Sequence, residues 1–273
     1  MTHLVRHRIE SLDPFFRFLN YFDSSYFFLV LIPLIWMGFS YQWGLRIFYW
    51  FTFNSLVNSF AKNMIGWPRP STDIPEIGMY HPTSYGFPSG AAQVCMFLGG
   101  LLIYYWRTRA AWTLGAIYIL LISFSRLYLG VHYPLDILGG WAIAWLLLLL
   151  FIATKDPLEN WLFKKGPIFC LILSLAIPAV IAFFAFKPSI YYIMGSTMGV
   201  GLGTYFSLQH RLFLPRPKDL NESIGRFFTG IVLLSLIVFL WPGGPSVAQS
   251  FTAGLFMSLA ASPICKWCMD RKI

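Results

Sequence analysis

The chain has 273 residues, of which 57% are hydrophobic and only 11% charged, with 20 Lys and Arg against 11 Asp and Glu. So apolar a composition excludes an ordinary soluble domain and points to a protein that crosses a membrane several times. The net charge of +9 sits in short loops between apolar runs. It reads as orientation in a bilayer beside anionic headgroups rather than as nucleic-acid binding.

In chain order, residues 1–24 lack the apolar core of a signal peptide. They read as an interfacial amphipathic segment with Phe15, Phe16 and Leu19 toward lipid. Nine apolar segments follow, at about 26–39, 45–60, 89–106, 110–124, 135–153, 168–186, 189–206, 223–241 and 246–263. A span needs ~20 apolar residues, so the expectation is an all-α polytopic bundle of about nine transmembrane helices. Pro242-Gly243-Gly244-Pro245 marks the turn between the last two. With nine spans the termini lie on opposite sides, and 13 of the 20 basic residues fall on the side of the C-terminus. That side is expected to be cytoplasmic. Cysteines 95, 170, 265 and 268 are scattered, and Cys265-Lys-Trp-Cys268 is a lone C-x-x-C without a second pair, so no zinc or redox site is expected.

Three of the basic residues on the outer side need another explanation. The first outer loop begins 62-KNMIGWPRP-70, with Arg69 held extended between Pro68 and Pro70. It ends 87-FPSGA-91, where Ser89-Gly90 opens a helix whose first amides lack internal partners and favour an anion. The second outer loop reads 125-SRLYLGVHYPLDILGG-140. There Pro134 suits the first helical position, His132 precedes it, and Asp136 lies in the first turn. An Asp so placed can fix the imidazole tautomer and leave the other nitrogen free to attack. Singly, each feature is explained as well by snorkelling cations, a serine cap or an interfacial histidine. Together, Lys62, Arg69, Ser89, Gly90, Arg126, His132 and Asp136 on one face match what phosphoryl transfer requires: positioning and neutralised charge. Outer-side carboxylates are too few for a metal cluster.

These residues resemble the type 2 phosphatidic acid phosphatase family, whose signature has three parts: K-x6-RP, PSGH and SR-x5-H-x3-D. Lys62 to Arg69-Pro70 fits the first, and Ser125-Arg126, His132 and Asp136 fit the third. Pro88-Ser89-Gly90 fits the second, except that its last position is Ala91. The resemblance implies a phosphatase without metal or other cofactor, with His132 as nucleophile and Asp136 as its partner. Lys62, Arg69, Ser89, Gly90 and Arg126 would bind phosphate. Nine spans with an exoplasmic site look like the glucose-6-phosphatase branch. The implied division is 1–24 interfacial, 25–160 catalytic, and 161–273 four further helices of unread role. The implied setting is a bacterial cytoplasmic membrane, with the site on the periplasmic face and the C-terminus in the cytoplasm. The expected partners are membrane lipids and a lipid phosphate or diphosphate substrate. A channel or transporter is the competing class, but the centres of the later helices are nearly free of charge.

In the family, the histidine after PSG protonates the leaving oxygen, which alanine cannot do. Three readings of Ala91 stand open. A native histidine has been replaced in an otherwise intact phosphatase, a reading favoured by the complete motifs around it, and the chain is then impaired. A natural protein keeps the phosphate cradle to bind or carry a lipid phosphate without turnover. Or the enzyme works on a leaving group that needs less protonation, such as an isoprenoid diphosphate.

Overall fold

The computed structural model describes residues 8–270 apart from residue 186. Residues 1–7 and the last residue of the expected span 168–186 lie outside the described residues, as does the side chain of Cys268. No strand occurs among the described residues. The helices are α1 Asp13–Leu19, α2 Ser25–Trp36, α3 Tyr41–Ile65, α4 Gly90–Trp106, α5 Arg109–Tyr128, α6 Pro134–Lys165, α7 Pro167–Phe183, α8 Pro188–Gln209, α9 Leu220–Leu240, α10 Val247–Leu259 and α11 Ala261–Asp270.

Each of the nine predicted segments falls on one of α2 to α10. Three of these, α5, α6 and α9, are both long and apolar enough to cross a membrane, which makes this a multi-pass membrane protein. The structure does not establish nine full crossings. Helices α4 and α7 are apolar but have 17 residues each. At 1.5 Å per residue that is about 26 Å, short of a hydrocarbon core of ~30 Å.

Helix starts follow local chemistry. Ser89 caps α4 by accepting the Ala92 amide at 3.4 Å, and Thr108 caps α5 by accepting the Ala111 amide at 3.1 Å. Proline opens α6, α7 and α8, where its missing N–H is not needed. Helix α6 runs past its predicted end at 153 to Lys165. Its polar extension is gripped by Arg46, which donates to both carboxylate oxygens of Glu159 at 2.5 and 2.6 Å.

The chain forms two compact units, residues up to 27 with 53–155, and 28–52 with 156 onward. In the second unit, Gly195, Gly199 and Gly203 lie four apart on one face of α8. A Cβ at these positions would meet Val247 O at 2.9 Å, Phe251 O at 2.1 Å and Ser258 Oγ at 2.1 Å. Small residues at this spacing let α8 and α10 approach backbone to backbone. The same unit holds a cavity of about 410 Å³ lined by Tyr41, Leu45, Leu208 and Phe213 among others. None of the motif residues lines it.

In the first unit, the N-terminal segment departs from expectation. Phe15 is exposed, but Phe16 and Leu19 are buried with Tyr128, Leu129 and Val131. Phe16 stacks on Tyr128 with ring centroids 3.9 Å apart. The reason is local: the one Tyr128 hydroxyl proton faces Asp13 Oδ1 at 2.6 Å, with Ile9 O also within reach at 2.9 Å, and Arg8 donates to Tyr128 O at 2.8 Å. These bonds draw the segment onto the end of α5.

The contact that places the motifs is made by Gly139 and Gly140. A Cβ on Gly140 would stand 2.6 Å from Ser89 O and 3.1 Å from Gln93 N, and one on Gly139 would strike the Phe87 ring at 2.4 Å. Only without side chains can the first turns of α6 press against the turn that opens α4. Gly140→Ala should therefore lower stability by about 1–3 kcal/mol through overpacking, read as a reduced thermal midpoint in detergent. Gly225→Ala, where a Cβ meets nothing within 4 Å, should leave the midpoint unchanged or raise it.

Candidate active site

Lys62 lies in the last turn of α3 and is buried, its Nζ donating to Tyr85 O at 2.6 Å and Gly86 O at 3.3 Å. Seven residues on, Arg69 is extended at φ −97°, ψ 156°, between its prolines, and caps the short helix Pro70–Asp73. Its guanidinium is buried and held at every nitrogen. Nε donates to Ser84 O at 2.6 Å, Nη2 to Ser84 Oγ at 2.9 Å, and Nη1 to Val131 O at 3.0 Å. The same Nη1 lies 3.0 Å from Nε2 of His132.

On its other side, His132 Nδ1 lies 3.2 Å from Asp136 Oδ2, an oxygen that also accepts the Tyr133 amide at 2.8 Å. A guanidinium can only donate, so Nε2 is the accepting nitrogen and the ring proton sits on Nδ1, facing Asp136. His132 is 4% and Asp136 1% exposed. Burial pushes the imidazole down to about 3, reinforced by Arg69 and Lys62 and opposed by the bond to Asp136. At neutral pH the ring is uncharged, with a lone pair on Nε2 aimed where Arg69 points.

The turn that opens α4 is tied to the same carboxylate residue: Ser89 N donates to Asp136 O at 2.9 Å. Gly86 lets Lys62 join them, because a Cβ there would meet Pro68 O at 2.6 Å and Asp136 Oδ2 at 3.2 Å. Gly90 N and Ala91 N, in the first turn of α4, donate to no protein acceptor among the described residues. Arg126, fully buried, reaches the group through the backbone, since Val131 N donates to Arg126 O at 3.2 Å. Its Nη1 donates to Asn20 Oδ1 at 2.7 Å and to the Tyr80 hydroxyl at 3.2 Å, and its Nε and Nη2 to Ser125 Oγ at 3.0 Å. Ala91 is buried in an apolar cluster with Leu19, Leu129 and Val131 and presents no donor beyond its amide.

Direct hydrogen bonds thus join Arg69, His132, Asp136 and Ser89, while Lys62 and Arg126 attach through Gly86 and Val131. The motifs do not mention Ser84, Asn20 or Tyr80, which hold the two arginines. Nor do they mention the polar row beneath Lys62. Asn58 donates to Gln93 Oε1 at 2.8 Å and to Pro88 O at 3.3 Å, and Gln93 Nε2 donates to Asn54 Oδ1 at 3.0 Å. One signal for that row was present: Asn54, Asn58 and Lys62 are four apart, one polar face on an otherwise apolar helix. Asn20, Tyr80 and Ser84 carry no such pattern.

The PAP2 superfamily model matches residues 43–158. This stretch is less than half of the chain, and it contains Lys62, Arg69, Ser89, Gly90, Ala91, Arg126, His132 and Asp136. Lipid phosphate phosphatase delta of Arabidopsis thaliana is 25% identical over 259 residues, covering 84% of this chain and 62% of its own length. Undecaprenyl-diphosphatase of Sulfolobus acidocaldarius is 36% identical over 81 residues, 29% of this chain and 39% of that protein. The chain therefore spans less than two thirds of either relative. A crystal structure of a transmembrane PAP2 type phosphatidylglycerolphosphate phosphatase from Bacillus subtilis is 24% identical, with a TM-score of 0.48 over 57% of this chain and 82% of that one.

The histidine geometry has a consequence for stability. Between the ordinary histidine range, near 6.5, and about 3, the unfolded chain binds a proton that folded His132 refuses. Stability from the buried neutral ring is complete above that range and lost as pH falls through it. Unfolding free energy in detergent should fall on acidification from pH 7 to 4, by as much as ~1.4 kcal/mol per pH unit from this group. His132→Gln should flatten that slope.

Proposed function

We propose that this chain is a membrane phosphatase of the type 2 phosphatidic acid phosphatase kind, hydrolysing a lipid phosphate or diphosphate through a phosphohistidine intermediate. The observation that carries the reading is the buried row Arg69–His132–Asp136, with one nitrogen of a neutral imidazole held by a carboxylate and the other meeting a guanidinium. A phosphoryl group inserted between Arg69 and His132 would exchange the guanidinium contact for two charge-assisted bonds. It would also bring phosphorus within reach of Nε2. Asp136 then stabilises the ring as it becomes cationic. Lys62, Arg126 and the amides of Gly90 and Ala91 offset the charge spread over the phosphoryl oxygens. Nothing in these roles calls for a metal.

Lipid substrates are supported by the apolar helices around the site and by the similarity to a lipid phosphate phosphatase and an undecaprenyl-diphosphatase. The excess of basic residues on the C-terminal side supports an exoplasmic site, in a nine-span arrangement with a cytoplasmic C-terminus. Residues 25–160 would carry catalysis, residues 1–24 would form an N-terminal interfacial segment, and 161–273 four further membrane helices.

Ala91 removes the imidazole donor, so turnover of a poor alkoxide leaving group is impaired in the chain as it stands. The same observation favours a second reading, a lipid-phosphate binding protein without turnover. Phosphate release from lipid and sugar phosphates in detergent separates them. Ala91→His should raise lipid turnover ~10²–10⁴-fold, and His132→Ala in that background should abolish it. If both forms are inert while a lipid phosphate still binds, the binding reading replaces the enzyme. For orientation, a membrane-impermeant thiol reagent should label Asp73→Cys in intact cells. Labelling only after lysis would invert the topology.

A further inference from the structure

We propose that Tyr80 supplies the proton to the departing oxygen in this chain, where Ala91 leaves no donor. This rests on the reading of His132 as nucleophile. The Tyr80 ring packs against the buried cluster that contains Ala91 and Val131, the residue before His132. Its hydroxyl accepts from Arg126 Nη1 at 3.2 Å and donates to Asn20 Oδ1 at 2.9 Å. The phenol therefore lies beside a cation assigned to the phosphate, with its one proton on an acceptor that a substrate oxygen can replace by rotation about the C–O bond. A guanidinium donating to a phenol oxygen favours the phenolate that proton loss creates.

The other candidates are disposed against proton release. Tyr133 donates to Asp73 Oδ2 at 2.9 Å, and burial together with that carboxylate pushes it up to about 12. Lys62 is held by two carbonyls, which favour its charged form. His81 is bound at Pro75 O in an exposed position. Gln93 is an amide.

The steps balance. His132 Nε2 forms the N–P bond as the P–O bond to the lipid breaks, and the leaving oxygen takes that electron pair and the Tyr80 proton. Water then forms a new O–P bond as N–P breaks, returning the pair to Nε2, and a water proton returns to Tyr80. The sum is ester plus water to alcohol plus phosphate.

The test uses full-length protein in detergent and two substrates. Dioctanoyl phosphatidate has a leaving group that needs a proton, and p-nitrophenyl phosphate has one that does not. Tyr80→Phe should lower phosphatidate turnover about tenfold or more, with a much smaller loss on the activated ester. In an Ala91→His background the loss on phosphatidate should also be much smaller, because imidazole takes over the proton. Equal losses on both substrates would make Tyr80 a support for Arg126 and overturn the proposal, as would no loss on either. If the chain as it stands turns over the activated ester but not phosphatidate, Tyr80 is no donor and the phosphohistidine reading survives. If it turns over neither while Ala91→His restores phosphatidate turnover, Tyr80 is again no donor. If Ala91→His is inert as well, the nucleophile reading falls, and this proposal with it.

Discussion

The contact between Arg69 and His132 is the interaction on which the rest of the site depends. Two bases, both buried, stand 3.0 Å apart. That is tolerable only while one of them is neutral, since two cations at that distance in a low-dielectric site repel strongly. Neutrality is secured from both sides. Burial and the nearby cations keep Nε2 unprotonated, and Asp136 accepts the hydrogen bond from the one ring N–H. The guanidinium is in turn fixed by Ser84 and by the Val131 carbonyl. The arrangement is pre-organised: the positive charge and the lone pair already converge, so little reorganisation is needed when an anion arrives.

That contact depends on close backbone packing elsewhere. His132 and Asp136 meet the turn that opens α4 because Gly139 and Gly140 present no side chains to it. Lys62 reaches the same region because Gly86 is bare toward Asp136. In a membrane, where apolar surface is no driving force between helices, small residues and polar links carry much of the association. The Asn54–Gln93–Asn58 chain between α3 and α4 is such a link, directly beneath the cation it helps to place. Gly195, Gly199 and Gly203 of α8 play the packing part in the second unit.

Ala91 bears on chemistry rather than on architecture. Its methyl lies among apolar neighbours and disturbs none of the bonds that hold Arg69, His132 and Asp136. On the proposed reading, loss of a proton donor is therefore separable from loss of the phosphate cradle. Weak turnover, binding without turnover and a relocated donor become distinct chemical states of one scaffold.

Composition and periodicity were enough, by themselves, to establish a helical membrane protein and to locate the segments on which α2 to α10 fall, since burial of backbone in lipid leaves few alternatives to helix. Spacing also singled out Lys62, Arg69, Ser89-Gly90, Arg126, His132 and Asp136, because their residue types suit one chemistry. Only the tertiary structure decided how many helices reach full spanning length, which depends on where caps begin and end them and on ion pairs such as Arg46–Glu159 that hold an extension. It turned Phe16 and Leu19 inward, because their partners at Tyr128 and Leu129 are over a hundred residues away. It also brought Ser84 to Arg69, and Asn20 and Tyr80 to Arg126. Those residues come from segments with no motif, and the hydrogen bonds that give them meaning exist only once distant loops are folded onto one another.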